Sequence, residues 1–345
     1  RIMGMSIIRI IPVLLALFPA PLPAAVPRIA ILGDSIPYAG YWPALLESGL
    51  RRNSAYRNAE IVNFSLPSET ASGLSEPGHA AGAFPRPCIH DRLDAILSRY
   101  KPTLVIACYG MNDGMMQPFS EANFQAYQQG MERLKAKTES AGARFIAVTP
   151  PLYMADTPEK DSARYNAVLD IYAEWLNGQK KKGWLVADMR PGLSRQIRAA
   201  KEKNPRFMYA PDGVHPGPEG HLMIARSVWP AIASFLNLSP NVRFAEGDAF
   251  NKILERHNLF KLAWLSETGH KRPGIPAGVP IAELPRIAED VWTKTAPEPG
   301  ADPHSRNLKN TVPVVDFILD ALRKTGASML RENKEPARTG PEKAT

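Results

Sequence analysis

From Arg28 onward, short apolar runs alternate with longer amphipathic stretches. The runs Arg28–Leu32, Glu60–Ser65, Thr103–Tyr109, Arg144–Thr149 and Trp184–Asp188 predict five buried strands. Helical spacing predicts helices near Trp42–Arg52, Ile89–Tyr100, Ser120–Ala141 and Lys160–Lys180, then over Leu193–Lys203 and from Pro218 to about Leu236. Ser120, three residues before Asn123, suits an N-cap, and Gly142 suits the C′ position of the same helix. Strands joined by crossover helices predict one α/β domain built on a doubly wound parallel sheet that ends near Leu238.

Pro240 marks a change of pattern. Glu246–Leu265 reads as an amphipathic helix with Phe250, Ile253, Leu254, His257, Phe260, Leu262 and Leu265 on one broad face. A Pro-rich stretch follows from Pro273 to Pro303, then a last helix from Pro313, a good first-turn residue, to Leu330. The layout expected is a sheet domain over 26–238, a helical extension over 239–330 packing on it, and a disordered tail over 331–345. Residues 1–25 read as an export signal: Arg1 and Arg9 precede the apolar run Ile10–Phe18, with small residues up to Ala24-Ala25. That run is too short to span a bilayer. A buried N-terminal strand or an uncleaved anchor is the competing reading, because Pro23 sits where a cleavage site prefers a small residue. The expected location is periplasmic or secreted.

Composition narrows the classes. With 44% hydrophobic and 22% charged residues, the chain can bury a core. Its 24 glycines and 33 prolines in 345 residues fall below the ~25–30% of low-complexity disorder, and no Gly-X-Y period is present. Two cysteines allow neither a disulfide framework nor a four-thiolate zinc site. The net charge of +8 is spread among acidic residues. Its one tight cluster, Lys180-Lys181-Lys182, falls at a predicted helix end, where cations complement the dipole. No basic stripe with interleaved aromatics points to nucleic acid.

Three local patterns carry chemistry. Gly33-Asp34-Ser35 follows the first strand, at the sheet edge where α/β proteins place ligands, and Ser35 there either presents a nucleophilic hydroxyl or caps a turn. In Asp212-Gly213-Val214-His215, the carboxylate sits close enough in sequence to fix an imidazole tautomer, or simply to cap the turn. Gly110-Met111-Asn112-Asp113 follows the third strand, and the Asn112 amide either serves as a donor to a developing oxyanion or forms an Asx turn.

Together, and in this order, these motifs resemble the SGNH (GDSL-type) hydrolases over Arg28 to about Leu238. The resemblance implies a flavodoxin-like three-layer α/β/α sandwich with a five-stranded parallel sheet, the SGNH hydrolase fold, carrying the helical extension. It implies ester hydrolysis through an acyl-serine, without cofactor. Ser35 then corresponds to the nucleophile, His215 to the general base and Asp212 to its orienting partner. The Ser35 backbone N–H and Asn112 correspond to oxyanion donors. The family's remaining donor is the backbone N–H of a glycine after the second strand, and here Ser68 stands at that position. A backbone N–H survives this change, but a positive φ there would penalise serine. Gly73 is an alternative donor.

Among the remaining candidates, His79, Asp113 and Met115, the last with Met116, are read as lining the substrate cleft, against a core role for the methionines. His221 is read as structural. No paired histidine spacing marks a metal site. Cys88 and Cys108 are left open as a pair, since Cys108 reads as a buried strand residue. His270-Lys271-Arg272 is read as a solvated turn rather than a grip for an anion. The function expected is a serine esterase removing short acyl groups, acetyl included, from a small-molecule or carbohydrate ester. A lysophospholipase or lipase-like esterase is the second enzyme reading. A non-catalytic carbohydrate-binding or interaction protein on the same fold is the third.

Overall fold

In the computed structural model, which describes residues 26–154, 156–157 and 160–287, the chain alternates strand and helix. It runs through β1 (Arg28–Gly33), a single turn α1 (Ser35–Tyr38), α2 (Tyr41–Leu50), β2 (Glu60–Asn63), α3 (Leu93–Ala95), β3 (Leu104–Cys108), α4 (Glu121–Ser140) and β4 (Arg144–Val148). A small ribbon of β5 (Asp156–Thr157) and β6 (Lys160–Asp161) precedes α5 (Ser162–Gln179), β7 (Leu185–Ala187), α6 (Arg190–Lys203), α7 (Pro218–Phe235) and α8 (Gly247–Thr268). The large sheet has the order β2-β1-β3-β4-β7, and all its pairings are parallel. Its strands are apolar because both faces are covered: every residue of β3 is buried, as is all of β1 after Arg28.

This order positions the site. The chain turns one way from β1 to β2 and the other way to β3, so a crevice opens at the carboxyl ends of β1 and β3. Gly33 is registered opposite Cys108, which sets the loops after these two strands side by side. A Cβ on Gly33 would lie 2.5 Å from Pro37 Cγ and 2.6 Å from the Cys108 carbonyl oxygen, so only glycine allows α1 to fold back there. Ser120 Oγ accepts from the Asn123 N–H at 3.3 Å to cap α4, and Gly142 follows its C-terminus at φ 83°. The five-stranded parallel sheet with flanking helices is the expected α/β architecture.

Three segments differ from the pattern-based expectation. Ile89–Tyr100 is not one helix but a 3-10 turn, α3 and a π turn, with Arg92 at φ −129° and ψ −5° as the break. Arg92 turns inward there and is buried. The helix expected from Lys160 starts at Ser162, after the ribbon. In α8 the buried row is Leu254, His257, Lys261, Ala263, Trp264, Leu265 and Thr268, while Phe250, Ile253, Phe260 and Leu262 are half-buried. The charges of Lys261 and Arg256 are accommodated because α2 and α1 offer them partners. The expected signal at 1–25, the helix Pro313–Leu330 and the tail over 331–345 lie outside the described residues. Cys88 and Cys108 are free thiols. Among the described residues, no helix is long and apolar enough to cross a membrane.

The partner for α8 is Glu47, fully buried on α2. It accepts from Arg51 Nε at 2.8 Å and Arg256 Nη1 at 2.7 Å, and its other oxygen meets His257 Nδ1 at 3.2 Å. Burial alone would push this carboxyl up, but the His257 hydrogen bond and the charges of Arg256 and Arg51 bring it down to about 2. Lys261 Nζ donates to the Tyr38 carbonyl at 2.7 Å and to Asn258 Oδ1 at 2.8 Å, tying α8 to the end of α1. Because the folded-state pKa of Glu47 lies below its unfolded value, its contribution is complete above about pH 4.5 and is lost as pH falls toward 2. Glu47→Gln is expected to destabilise the protein by about 3–5 kcal/mol, since it strands buried cations. Urea unfolding should also show a shallower loss of stability between pH 5 and pH 2 in the variant than in the wild type.

Candidate active site

Ser35 is the first residue of α1, placed there by Asp34, whose Oδ1 accepts the Ile36 N–H at 2.9 Å as an N-cap. Asn63 Nδ2 donates to the Pro37 carbonyl at 2.7 Å and pins the same turn to the end of β2. At the first helical position the Ser35 N–H has no acceptor within the helix. Asp212 organises the turn before α7: Oδ1 accepts the N–H groups of Val214 at 2.9 Å and His215 at 2.7 Å. Its Oδ2 lies 2.6 Å from His215 Nδ1, and His215 Nε2 lies 2.8 Å from Ser35 Oγ. A relay of three side chains thus links residues 180 positions apart. Asp212 is half-exposed; desolvation raises its carboxyl, but the hydrogen bond and charge of His215 and the two backbone donors together outweigh this and hold it at about 2. It is therefore ionised at neutral pH. The Met154 N–H donates to the Gly213 carbonyl at 2.8 Å and braces this turn against the loop after β4.

The opposite wall is the loop after β2. Ser68 has φ 67°, in the left-handed region, and its N–H makes no hydrogen bond among the described residues. The conformation that favours glycine at this position is thus present with serine in it. Asn112 is buried, and its Nδ2 donates one hydrogen to the Glu69 carbonyl at 3.1 Å, leaving the second free. Asn112 therefore sits directly against the Ser68-Glu69 segment. Gly73 also has positive φ, with its Cα side facing Cys88 Sγ.

Sequence reasoning missed the reason the loop holds this shape. Glu69 is fully buried and receives Arg92 Nε and Nη2 at 2.7 Å each and the Tyr109 hydroxyl at 2.7 Å. Arg92 also donates to the Phe64 carbonyl. Burial raises the Glu69 carboxyl despite Arg92, and the same burial is why Arg92 interrupts its helix to reach it. A lone Glu and Arg 23 residues apart carry no periodic signal, so nothing in the pattern flags them.

Asp113 is a correction. It does not line the cleft: it is fully buried, with Oδ1 accepting the N–H groups of Ala71 and Ser72 at 2.9 and 2.8 Å and Oδ2 that of Gly110 at 3.0 Å. All its lone pairs facing donors are used in joining two loops. His79 is also buried, edge-on to Phe84 with centroids 5.4 Å apart, and its Nδ1 faces Glu76 Oε1 at 3.4 Å. Met115 is buried and Met116 exposed, both at positive φ in the turn after β3. His221 packs on Tyr41 with ring centroids 5.6 Å apart, and burial lowers it to about 3, so it stays neutral. Arg272 is the second correction: this expected turn residue is buried, with Nε donating to the Pro67 carbonyl at 3.0 Å, next to Ser68. Among the described residues, no group of three or more His, Cys, Asp or Glu is arranged to hold a metal ion.

Comparison with known proteins places the chain in a family. The model of the GDSL-like Lipase/Acylhydrolase family matches residues 31–223, a stretch that includes Ser35, Ser68, Asn112, Asp212 and His215. Esterase TesA of Pseudomonas aeruginosa is 28% identical over 220 residues, covering 62% of this chain and 91% of the relative. Among solved structures, a gut microbial diltiazem-metabolizing enzyme is similar at 18% identity and a TM-score of 0.49, over 60% of this chain and 46% of that one. The acetylxylan esterase Axe2 of Geobacillus stearothermophilus is similar at 19% identity and a TM-score of 0.46, over 64% of this chain and 97% of that one. With its motifs in order on the expected sheet edge and more than half its length matched by the family model, the chain belongs to the GDSL-like lipase/acylhydrolase family.

Proposed function

We propose that the protein is a serine carboxylic-ester hydrolase that removes short acyl groups, acetyl among them, from small-molecule or carbohydrate esters. The observation that carries this reading is the continuous relay Asp212–His215–Ser35, at 2.6 and 2.8 Å. Membership of an acylhydrolase family and the likeness to an esterase support the reaction class. In the reaction, Ser35 Oγ attacks the ester carbonyl while His215 Nε2 takes its proton, and ionised Asp212 steadies the imidazolium. Negative charge gathers on the former carbonyl oxygen, where the N–H groups of Ser35 and Ser68 and the free Nδ2 hydrogen of Asn112 can receive it. His215 then returns the proton to the leaving alcohol. Water, activated by the same imidazole, releases the acid from Ser35 and restores the enzyme. The short-acyl assignment supposes that Met115 and Met116, in the turn that follows Asn112, form the apolar wall that meets the acyl group. Export, if residues 1–25 act as a signal, would give access to extracellular carbohydrate esters.

Ser35→Ala is expected to abolish labelling by a fluorophosphonate and nearly all hydrolysis of 4-nitrophenyl acetate, with the circular dichroism spectrum unchanged. Retention of activity within a few-fold of wild type would remove Ser35 from the mechanism. An unlabelled, inactive wild type would instead favour a binding role.

Asp212→Asn should lower kcat by roughly 10³–10⁴ with little change in KM, because the amide stabilises neither the tautomer nor the imidazolium. A loss below tenfold in steady-state kinetics would reduce Asp212 to a turn cap.

The two donors opposite Ser35 act through different atoms and so respond differently. Asn112→Ala should lower kcat by roughly 10²–10³, as loss of a side-chain donor does elsewhere. Ser68→Ala should be mild, and Ser68→Gly equally mild and more heat-stable, since glycine relieves a left-handed residue costing about 1–2 kcal/mol. Kinetics in which Ser68→Ala is crippling and Asn112→Ala silent would overturn this oxyanion hole.

A further inference from the structure

The cleft has a charged element that the hydrolytic relay does not use. Arg272 lies just beyond α8, yet it is only 9% exposed. Its Nε donates to the Pro67 carbonyl at 3.0 Å and its Nη1 to the Pro273 carbonyl. The guanidinium lies over the Phe84 ring, 5.1 Å from the centroid, and its charge is felt at the Tyr38 phenol. Pro67 is joined to Ser68, and Tyr38 is on the same single turn as Ser35. Arg272 is thus lodged between the oxyanion loop and the nucleophile turn, at the border of the cleft.

Two features separate it from an ordinary structural arginine. No described carboxylate lies within ion-pairing distance of it, whereas its neighbours are compensated: Arg86 grips Glu76 at 2.6 and 2.7 Å, and Lys271 meets Asp91 at 3.4 Å. Second, three of the five guanidinium N–H groups remain unspent. Nη2 makes no hydrogen bond to any described residue and is not sealed from solvent. A desolvated cation without a counter-ion is costly, and a preorganised guanidinium edge matches a carboxylate in shape and charge. One uncompensated positive charge fits one negative charge, which favours a carboxylate over a dianionic phosphate.

Resting on the esterase reading, we propose that Arg272 forms a carboxylate-binding subsite beside the oxyanion loop, so that the preferred ester substrate carries a carboxylate of its own. That group belongs either to the acyl part, as in the half-ester of a dicarboxylic acid, or to the alcohol part, as in an acylated uronic acid. The extension therefore completes the site by setting specificity, and Phe84, which also meets His79 edge-on, supplies the apolar floor under the guanidinium.

The test compares kcat/KM on matched pairs with the full chain. The acyl arm uses mono-4-nitrophenyl glutarate against 4-nitrophenyl pentanoate. The alcohol arm uses a monoacetylated methyl glucuronoside against the corresponding methyl glucoside. One arm should favour the anionic ester by roughly 10- to 100-fold, the range expected of a charge-assisted hydrogen bond, and the preference should shrink in high salt. Arg272→Gln should erase that preference and Arg272→Lys restore part of it. If Arg272 only props the Pro67 carbonyl, Arg272→Gln would lower anionic and neutral rates by the same factor, and the proposal falls. It falls equally if wild type shows no anionic preference in either arm, a measurement that needs no variant to fold. Wild type that labels at Ser35 and hydrolyses neutral esters without such a preference would sink the subsite alone. Wild type inert toward every ester and toward fluorophosphonate would sink the esterase reading with it.

Discussion

Loops that leave the end of a parallel sheet have no ladder left to satisfy their backbone, and those of this site are held by two buried carboxylates. Asp113 accepts three N–H groups, two from the loop after β2 and one from the loop after β3. Glu69 is gripped by Arg92 and Tyr109, while its own carbonyl accepts from Asn112. Burial pushes both carboxyls up, so each must be opposed by several donors. The result is a rigid wall in which Ser68 can occupy a left-handed conformation that an isolated serine would avoid. The placement of the Ser68 N–H and the Asn112 amide relative to Ser35 depends on this knot more than on either donor residue.

The turn that carries Ser35 is secured from the other direction. Asn63 holds the Pro37 carbonyl from β2, and Lys261 holds that of Tyr38 from α8. Lys261 is buried deeply enough to be lowered to about 7, with its ammonium 4.1 Å from the centre of the Tyr38 ring. The extension is thus joined to the sheet domain through a polar bond to the backbone of the Ser35 turn as well as through apolar packing. A helix lying beyond the family-matched stretch bears on the geometry of Ser35.

Much of this was legible in the amino-acid sequence, and the division is physical. The strands are continuous apolar runs covered on both faces, so composition alone marks them. The relay is legible because Asp212 and His215 share one turn and Ser35 follows the first strand at a predictable sheet edge. Asp113 was misread because its neighbour Asn112 faces the site, and sequence adjacency does not tell which way a side chain turns. Arg92 and Lys261 were invisible for another reason: each is a charged residue in an otherwise regular stretch, buried only because a distant carboxylate or carbonyl awaits it. Arg272 looked like part of a solvated basic triplet, yet its neighbour Lys271 is exposed while it is buried.

Two carboxylates flank the relay, and their surroundings sort them. Asp212 is half-exposed, and its bonds to His215 and Val214 bring it to about 2, so it is ionised wherever the imidazole must be oriented. Asp34, next to Ser35, is buried, and desolvation raises it to about 7 although the Ile36 N–H, His215 and Arg86 pull the other way. Near neutral pH a substantial fraction of Asp34 therefore carries a proton, and its task of capping α1 needs only an acceptor oxygen, which either form provides. Were Asp34 as acidic as Asp212, a second full negative charge would face His215 from beneath Ser35. By burying one carboxylate and wetting the other, the fold sorts two neighbouring acids into a largely neutral cap at the start of α1 and an ionised partner for the His215 ring.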